Sequence, residues 1–257
     1  MKSFLCILLL GFSVPLLSAA SDVAIHLSPA EAAKVGRKVW QNECAGKIEG
    51  LVSWNSGEAF PSLGIGHFIW YSKNNRGPFE ESFPELVALY KQRGIRTATW
   101  MSGPAPWSKR SEMLGDEQRI GELRALLVRT VDIQTEFLVR RLNGALPKML
   151  DAAPSSEQGR IRTRFQSVAS RPDGIFALID YVNFKGEGVL ETERYQGQGW
   201  GLLQVLEEMR GSGDPVMDFS DAASRVLARR VKNAPPSRHE QRWLAGWQNR
   251  VRQYAVE

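Results

Sequence analysis

Three stretches combine residue types that can do chemistry with neighbours that would position them. The first is Asn42-Glu43, a carboxylate near the end of an otherwise apolar helical pattern, shortly before Gly46. The C-terminal end of a helix carries partial negative charge, so a carboxylate gains nothing there. That placement, with Trp40 close by, is expected to raise the acid's pKa and let it keep a proton near neutrality, as a general acid must. The alternative is an ordinary solvent-facing glutamate. The second stretch runs Trp54-Asn55-Ser56-Gly57-Glu58-Ala59-Phe60-Pro61-Ser62-Leu63-Gly64-Ile65-Gly66-His67-Phe68. Gly64 and Gly66 permit a close backbone approach, while Glu58, Ser62 and His67 supply carboxylate, hydroxyl and imidazole on nearby turns. His67 can equally be a satisfied structural histidine. The third is Tyr195 to Gln204, where glycines allow tight packing and Tyr195, Trp200 and Gln204 are expected to face a groove. Aromatic faces and amides suit a sugar ring, which offers one apolar face and a rim of hydroxyls. A glycine-rich turn leading into a core helix has the same composition.

The elements that must position these residues can be read from periodicity. Ser28-Pro29-Ala30-Glu31 is a capping box with proline at the first helical position, so a helix should start there, bury Ala32, Val35, Val39 and Trp40, and stop near Gly46. Ile48, Gly50, Val52 and Trp54 then alternate with Glu49, Leu51, Ser53 and Asn55. With a turn at Ser56-Gly57 and a second run from Phe60 to Tyr71, this predicts a β-hairpin with Glu49 inside its first strand. A helix is expected from about Pro84 to Arg93, and an irregular, aromatic-rich surface segment from Trp100 to Trp107. Residues 116–143 should form two long helices or one bent one, and 155–170 another, with Arg160, Arg162 and Arg164 in solvent. Pro172 to Val182 reads as a buried helix, and Leu202 opens a further one. Two terminal helices are expected at about 218–232 and 237–254, the second carrying Trp243, Trp247 and Val251.

Composition bounds what such residues could serve. Met1-Lys2-Ser3, the apolar stretch Phe4 to Leu17 and Ser18-Ala19-Ala20 occur in the order of a secretory signal peptide, which predicts cleavage near Ala20 and a periplasmic or secreted mature protein. The stretch is shorter than the ~20 residues that span a bilayer and is broken by Gly11, Ser13 and Pro15, so no transmembrane anchor is expected. Of two cysteines, Cys6 leaves with the signal and Cys44 has no intrachain partner, so packing must hold the fold. The formal charge of +5 falls to +4 without Lys2 and favours anionic polymers such as cell-wall material. No long run of like charges appears, so no specific nucleic-acid partner is expected. His26, His67 and His239 are far apart with no ligand spacing, and no cofactor motif is present, so neither metal nor cofactor is expected.

Taken together, the motifs resemble the lysozyme-like superfamily of glycan-cleaving enzymes. A helix ending in Glu43 and succeeded by Ser62-Leu63-Gly64-Ile65-Gly66-His67 resembles the phage-type lysozymes, whose hairpin carries Thr-Ile-Gly-x-Gly-His. Tyr195-Gln196-Gly197-Gln198-Gly199-Trp200-Gly201-Leu202-Leu203-Gln204 resembles the Tyr-Gly-Arg-Gly-x-x-Gln segment of lysozyme-like plant-type chitinases, and its last four residues resemble the Gly-Leu-Met-Gln of lytic transglycosylases. The resemblance implies an α+β, predominantly α-helical fold, a lysozyme-like domain over 21–257 with a small β-hairpin lobe lining a cleft and a helical insertion at about 73–170. It also implies cleavage of β-1,4 aminosugar linkages, with peptidoglycan the expected partner. Chitinase or chitosanase activity and a non-catalytic peptidoglycan-binding role are the alternatives. On this resemblance Glu43 protonates the leaving oxygen and Glu58 steadies the oxocarbenium-like transition state or orients water. Trp54, Asn55, Ser62, His67, Tyr195, Trp200 and Gln204 then bind substrate. Glu49-Gly50-Leu51 also resembles the acid-bearing Glu-Gly-Leu of phage-type lysozymes, which makes Glu49 the rival acid. If no second carboxylate reaches the cleft, an intramolecular transglycosylase route on Glu43 alone is the better reading.

Overall fold

In the computed structural model, which describes residues 24–77 and 79–255, helix α1 (Pro29–Cys44) begins at a complete capping box. Glu31 N donates to Ser28 Oγ, and Ser28 N donates to the Glu31 carboxylate at 2.8 Å. The helix stops because Ala45 turns left-handed (φ 50°) just ahead of Gly46. The segment read as a signal peptide lies outside the described residues.

The chain beyond α1 does not form a simple hairpin. Glu49–Leu51 is a 3₁₀ turn, so Glu49 precedes the sheet instead of lying in its first strand. Three two-residue strands, β1 (Val52–Ser53), β2 (Ser62–Leu63) and β3 (Phe68–Ile69), form an antiparallel meander in which Leu63 pairs with both Val52 and Phe68. The run from Phe60 to Tyr71 breaks because Gly64 and His67 take left-handed φ values of 69° and 49° and reverse the chain. That conformation suits glycine, whereas His67 adopts it under strain, a feature that recurs at functional sites.

The rest is helical: α2 (Phe83–Gln92), α3 (Arg110–Leu114), α4 (Glu117–Arg129), α5 (Val131–Ala152), α6 (Ser155–Val168) and α7 (Pro172–Lys185). A second small antiparallel pair, β4 (Arg194–Tyr195) and β5 (Gln198–Gly199), leads into α8 (Leu202–Glu208), α9 (Pro215–Asn233) and α10 (Gln241–Arg252). The protein is thus predominantly α-helical with two small antiparallel sheets. Helix α5 lies against α1 so closely that a Cβ on Gly36 would fall 2.4 Å from Thr135 Oγ1. Helix α7 is buried without interruption from Gly174 to Tyr181, so it runs through the core. Among the described residues no helix is long and apolar enough to cross a membrane.

Two expectations change. The Trp100 to Trp107 segment is not a surface feature, because Trp107 is buried and packs with Trp100 against Trp70, with ring centres 6.0–6.2 Å apart. Arg164 is not in solvent either. It is buried under α8 and donates to the carbonyls of Leu206 and Glu207, which the C-terminal end of that helix leaves without partners.

Candidate functional site

Glu43 is held by elements from both ends of the chain. Its side chain is 12% exposed. Oε1 accepts from Arg250 Nη2 on α10, and Oε2 lies 3.2 Å from His67 Nδ1 on the β2–β3 turn. Arg250 is itself oriented by Asp180 of α7, which takes its Nε and Nη2 at 2.8 Å each. Asp180 is fully buried and also accepts from Asn42 Nδ2 at 3.1 Å and Tyr254 OH at 2.5 Å. Each carboxylate oxygen in this cluster faces a donor, which is the condition for burying charge in a protein.

This arrangement reverses the expected acidity of Glu43. Burial alone would raise its pKa, but the hydrogen bond from His67 and the charge of Arg250 outweigh burial and hold the carboxyl below its ordinary value. The Trp40 indole N–H donates to Lys47 O. Glu43 is therefore a carboxylate in the free protein, and the proton it could use sits on its neighbour. Burial pulls the His67 imidazolium down, yet contacts with Cys44 and Glu43 push it up to about 10. The ring bridges the two groups, with Nε2 3.8 Å from Cys44 Sγ.

The turn carrying His67 is clamped from below. Gln134 of α5 accepts from Ile65 N at 2.9 Å and donates to Leu127 O at 2.7 Å, and it is fully buried. Side chains at Gly64 or Gly66 would collide with Gln134, Phe68 or Leu138 within 3 Å, which is why this turn needs both glycines. Helix α5 thus fixes the histidine against the acid.

The other expected site residues divide. Asn55 and Glu58 lie on an exposed turn, where Asn55 Nδ2 donates to Glu58 Oε2 at 3.2 Å. Among the described residues Glu58 shares no hydrogen bond or ion-pair partner with Glu43. Glu49 is exposed as well. Trp54 is buried, its indole N–H bound to Glu58 O at 2.8 Å, and Ser62 is buried in β2. Both serve packing and do not line a groove. Gln204 does not face a groove either: its amide joins Gly201 N (3.0 Å) to Gly188 O (3.2 Å) inside the turn.

Trp200 is also buried, and its ring centre lies 4.5 Å from that of Tyr195. Gly201 shows why the segment is glycine-rich, since a Cβ there would meet Gly188 N at 2.2 Å, backbone against backbone. Gly201→Ala should therefore destabilise the fold by about 2–3 kcal/mol in urea unfolding, because neither strand of the contact can rotate away.

A series of contacts along α7 and α10 links the surroundings of Glu43 to those of Tyr195. Arg250 lies over the Phe184 ring at 4.5 Å, and Lys185 sits between Phe184 and Trp247 at 3.9 and 3.4 Å. Arg230 of α9 lies 5.0 Å from Trp247 and 4.1 Å from Trp200. Glu240 binds Arg230 through both oxygens at 2.8–2.9 Å and accepts from Tyr195 OH at 3.0 Å. A strip of alternating rings and cations thus runs from Glu43 to Tyr195. A separate cavity of about 320 Å³ lies between α2 and α5, lined by Glu85, Phe137, Arg140 and Lys148 among others.

Sequence reasoning missed Arg250, Asp180 and Tyr254. Asp180 did leave a signal, as the one charged residue within the apolar run Ile175 to Val182. Arg250 and Tyr254 follow Trp243 and Trp247 at helical spacing, on a face that passes from exposed at Trp243 to buried at Tyr254. Among the described residues no cluster of histidine, cysteine and carboxylates is arranged to hold a metal ion. Comparisons with protein-family models, curated proteins and solved structures find no match.

Proposed function

We propose that the chain is an exported glycan-cleaving enzyme of lysozyme-like fold that acts on β-1,4 aminosugar linkages, with peptidoglycan as its substrate. The observation that carries this reading is the position of Glu43: a buried carboxylate at the end of the first helix, braced by Arg250 and paired with His67 on the Gly64-Ile65-Gly66-His67 turn. Export rests on the order of residues 1–20.

Chemically, the pair holds one labile proton between Oε2 and Nδ1. In the free protein it resides on His67. A glycan strand covering the partly exposed ring would remove water from the ion pair and favour its neutral form, handing the proton to Glu43. Glu43 then protonates the leaving glycosidic oxygen. Since Glu58 shares no hydrogen bond or ion-pair partner with it, Glu43 also takes the proton from the attacking hydroxyl, which favours an intramolecular transglycosylase route over two-carboxylate hydrolysis.

One observation favours a second reading, a non-catalytic peptidoglycan-binding protein: both oxygens of Glu43 are already engaged by cations. Incubating the mature protein with purified peptidoglycan and analysing soluble muropeptides separates the two. The enzyme releases 1,6-anhydro products, while the binder sediments with the polymer and leaves glycan chain length unchanged. No release by wild type, or release undiminished in Glu43→Gln, would overturn the catalytic reading.

A further inference from the structure

The cavity of about 320 Å³ between α2 and α5 falls within the ~300–1,000 Å³ of small-molecule sites. Its two walls carry opposite charge. Glu80 and Glu85 stand on the α2 side and Arg140, Arg141 and Lys148 on the α5 side, while buried Leu89 and Phe137 supply an apolar lining. The walls do not neutralise each other. Among the described residues one ion pair crosses from α5 to the α2 side, Arg141 to Glu80 at a loose 3.8 Å, and Glu85 has neither an ion pair nor a hydrogen bond. Arg140 pairs within its own helix, with Glu136 at 2.7 Å, and Lys148 pairs at 3.3 Å with Glu187, which follows α7 and also lines the cavity. Gly144 shares the α5 face with these cations, and a Cβ there would meet no atom within 4 Å, so the space stays open where a side chain would fit. Opposite charges held apart around an open, partly apolar space suit a ligand that brings both signs.

We propose that this cavity binds a short peptide bearing both carboxylate and ammonium groups, with carboxylates towards Arg140, Arg141 and Lys148 and the amine towards Glu80 and Glu85. Its source rests on the glycosidase reading above: it is the peptide that a peptidoglycan strand carries beside the cleavage point. Phe137 ties the two places together, since its ring packs edge-on against that of Phe68, the neighbour of His67, with centres 5.3 Å apart. In the polymer the lactyl carboxylate is consumed in the amide link to the peptide, so the free charges a strand presents there are the peptide's own. Chitin has no such substituent, and a strand stripped of its peptides offers neither charge.

Calorimetric titration of the full chain with L-alanyl-γ-D-glutamyl-L-lysine, and with the same peptide acetylated at each amine and amidated at each carboxylate, tests the site. The charged peptide should bind at least about tenfold more tightly than the capped one, and the gap should narrow as ionic strength rises. Gly144→Leu fills the open space and replaces a glycine inside a helix, so it should fold at least as stably as wild type while weakening binding at least about tenfold. Arg141→Gln gives up one loose ion pair, so it should fold normally and bring the two affinities closer. Equal binding of the two peptides, no binding, or binding of the charged peptide undiminished in Gly144→Leu overturns the site.

Cleavage of peptidoglycan before and after an amidase removes its peptides reads the source. A fall in kcat/KM of at least about tenfold on stripped strands, which Gly144→Leu abolishes, assigns the peptide to the wall strand. Equal cleavage of both, with peptide binding intact, assigns it to a free peptide and overturns the placement beside Glu43. Peptide binding without cleavage of either substrate leaves the site standing and removes the enzymatic reading, and cleavage without peptide binding does the reverse.

Discussion

Arg250→Met should lower the unfolding free energy by about 3–5 kcal/mol, the range seen when one partner of a buried charge cluster is removed. The substitution keeps much of the side chain's volume over Phe184 but strips the two guanidinium donors from fully buried Asp180, leaving it Asn42 and Tyr254, and one donor from Glu43. Urea denaturation with an unchanged slope would show that the native state, and not the compactness of the unfolded chain, has changed. Arg250→Lys should recover only part of the loss, since an ammonium cannot reach both oxygens of Asp180 and one of Glu43 in a single plane. A loss below about 1 kcal/mol would mean that the cluster is screened by solvent.

The same cluster sets the pH profile. Glu43 has its pKa lowered by folding, so its contribution is present above the ordinary value of 4.5 and disappears as pH falls through the folded value. His67 is raised from 6.5 to about 10, so its contribution is complete below 6.5 and is lost as pH climbs towards 10. The two describe one contact from its two ends. Stability from it should peak between about 4.5 and 6.5, and His67→Gln should flatten the alkaline limb of a plot of unfolding midpoint against pH.

Glu43→Gln should reduce muropeptide release by about 10²- to 10⁴-fold, the usual contribution of a positioned acid or base. The amide keeps the shape of the side chain and leaves Arg250 with both oxygens of Asp180, so the fold should survive and the loss be chemical. Glu49→Gln is the natural control. That residue is exposed on its 3₁₀ turn, and its loss should leave release unchanged. Comparable losses in both variants would mean that Glu43 is not the group that handles the proton.

Local signals in the chain carried the architecture well. The Ser28 to Glu31 capping box and the proline opening α7 each predict an element found within a few residues of its expected bounds, whereas the helical pattern expected to end near residue 143 runs on in α5 to Ala152. The position of Glu43 was legible for the same reason, because a helix end and a glycine-bracketed turn are local features. Its ionisation was not, because a helix dipole is weak beside a guanidinium that arrives from another helix. Trp54, Ser62, Trp200 and Gln204 were misjudged for a different reason. Aromatic, hydroxyl and amide groups between glycines serve a buried turn as well as a groove, and only the neighbours decide. The meander in place of a hairpin traces to Gly64, whose left-handed backbone ends β2 earlier than alternation of side chains suggests.

The contact between Glu43 and Arg250 joins positions 207 residues apart, so it has a history as well as a geometry. At about 5–20 residues per second of synthesis, the acid waits about 10–40 s for its cation. Until then His67 is the one cation among the described residues that pairs with it, and the cost of closing so long a loop must be met by packing of α7 and α10. The contact forms only when α10 docks, so the ionisation of the acid on α1 depends on the packing of a helix more than 200 residues further along.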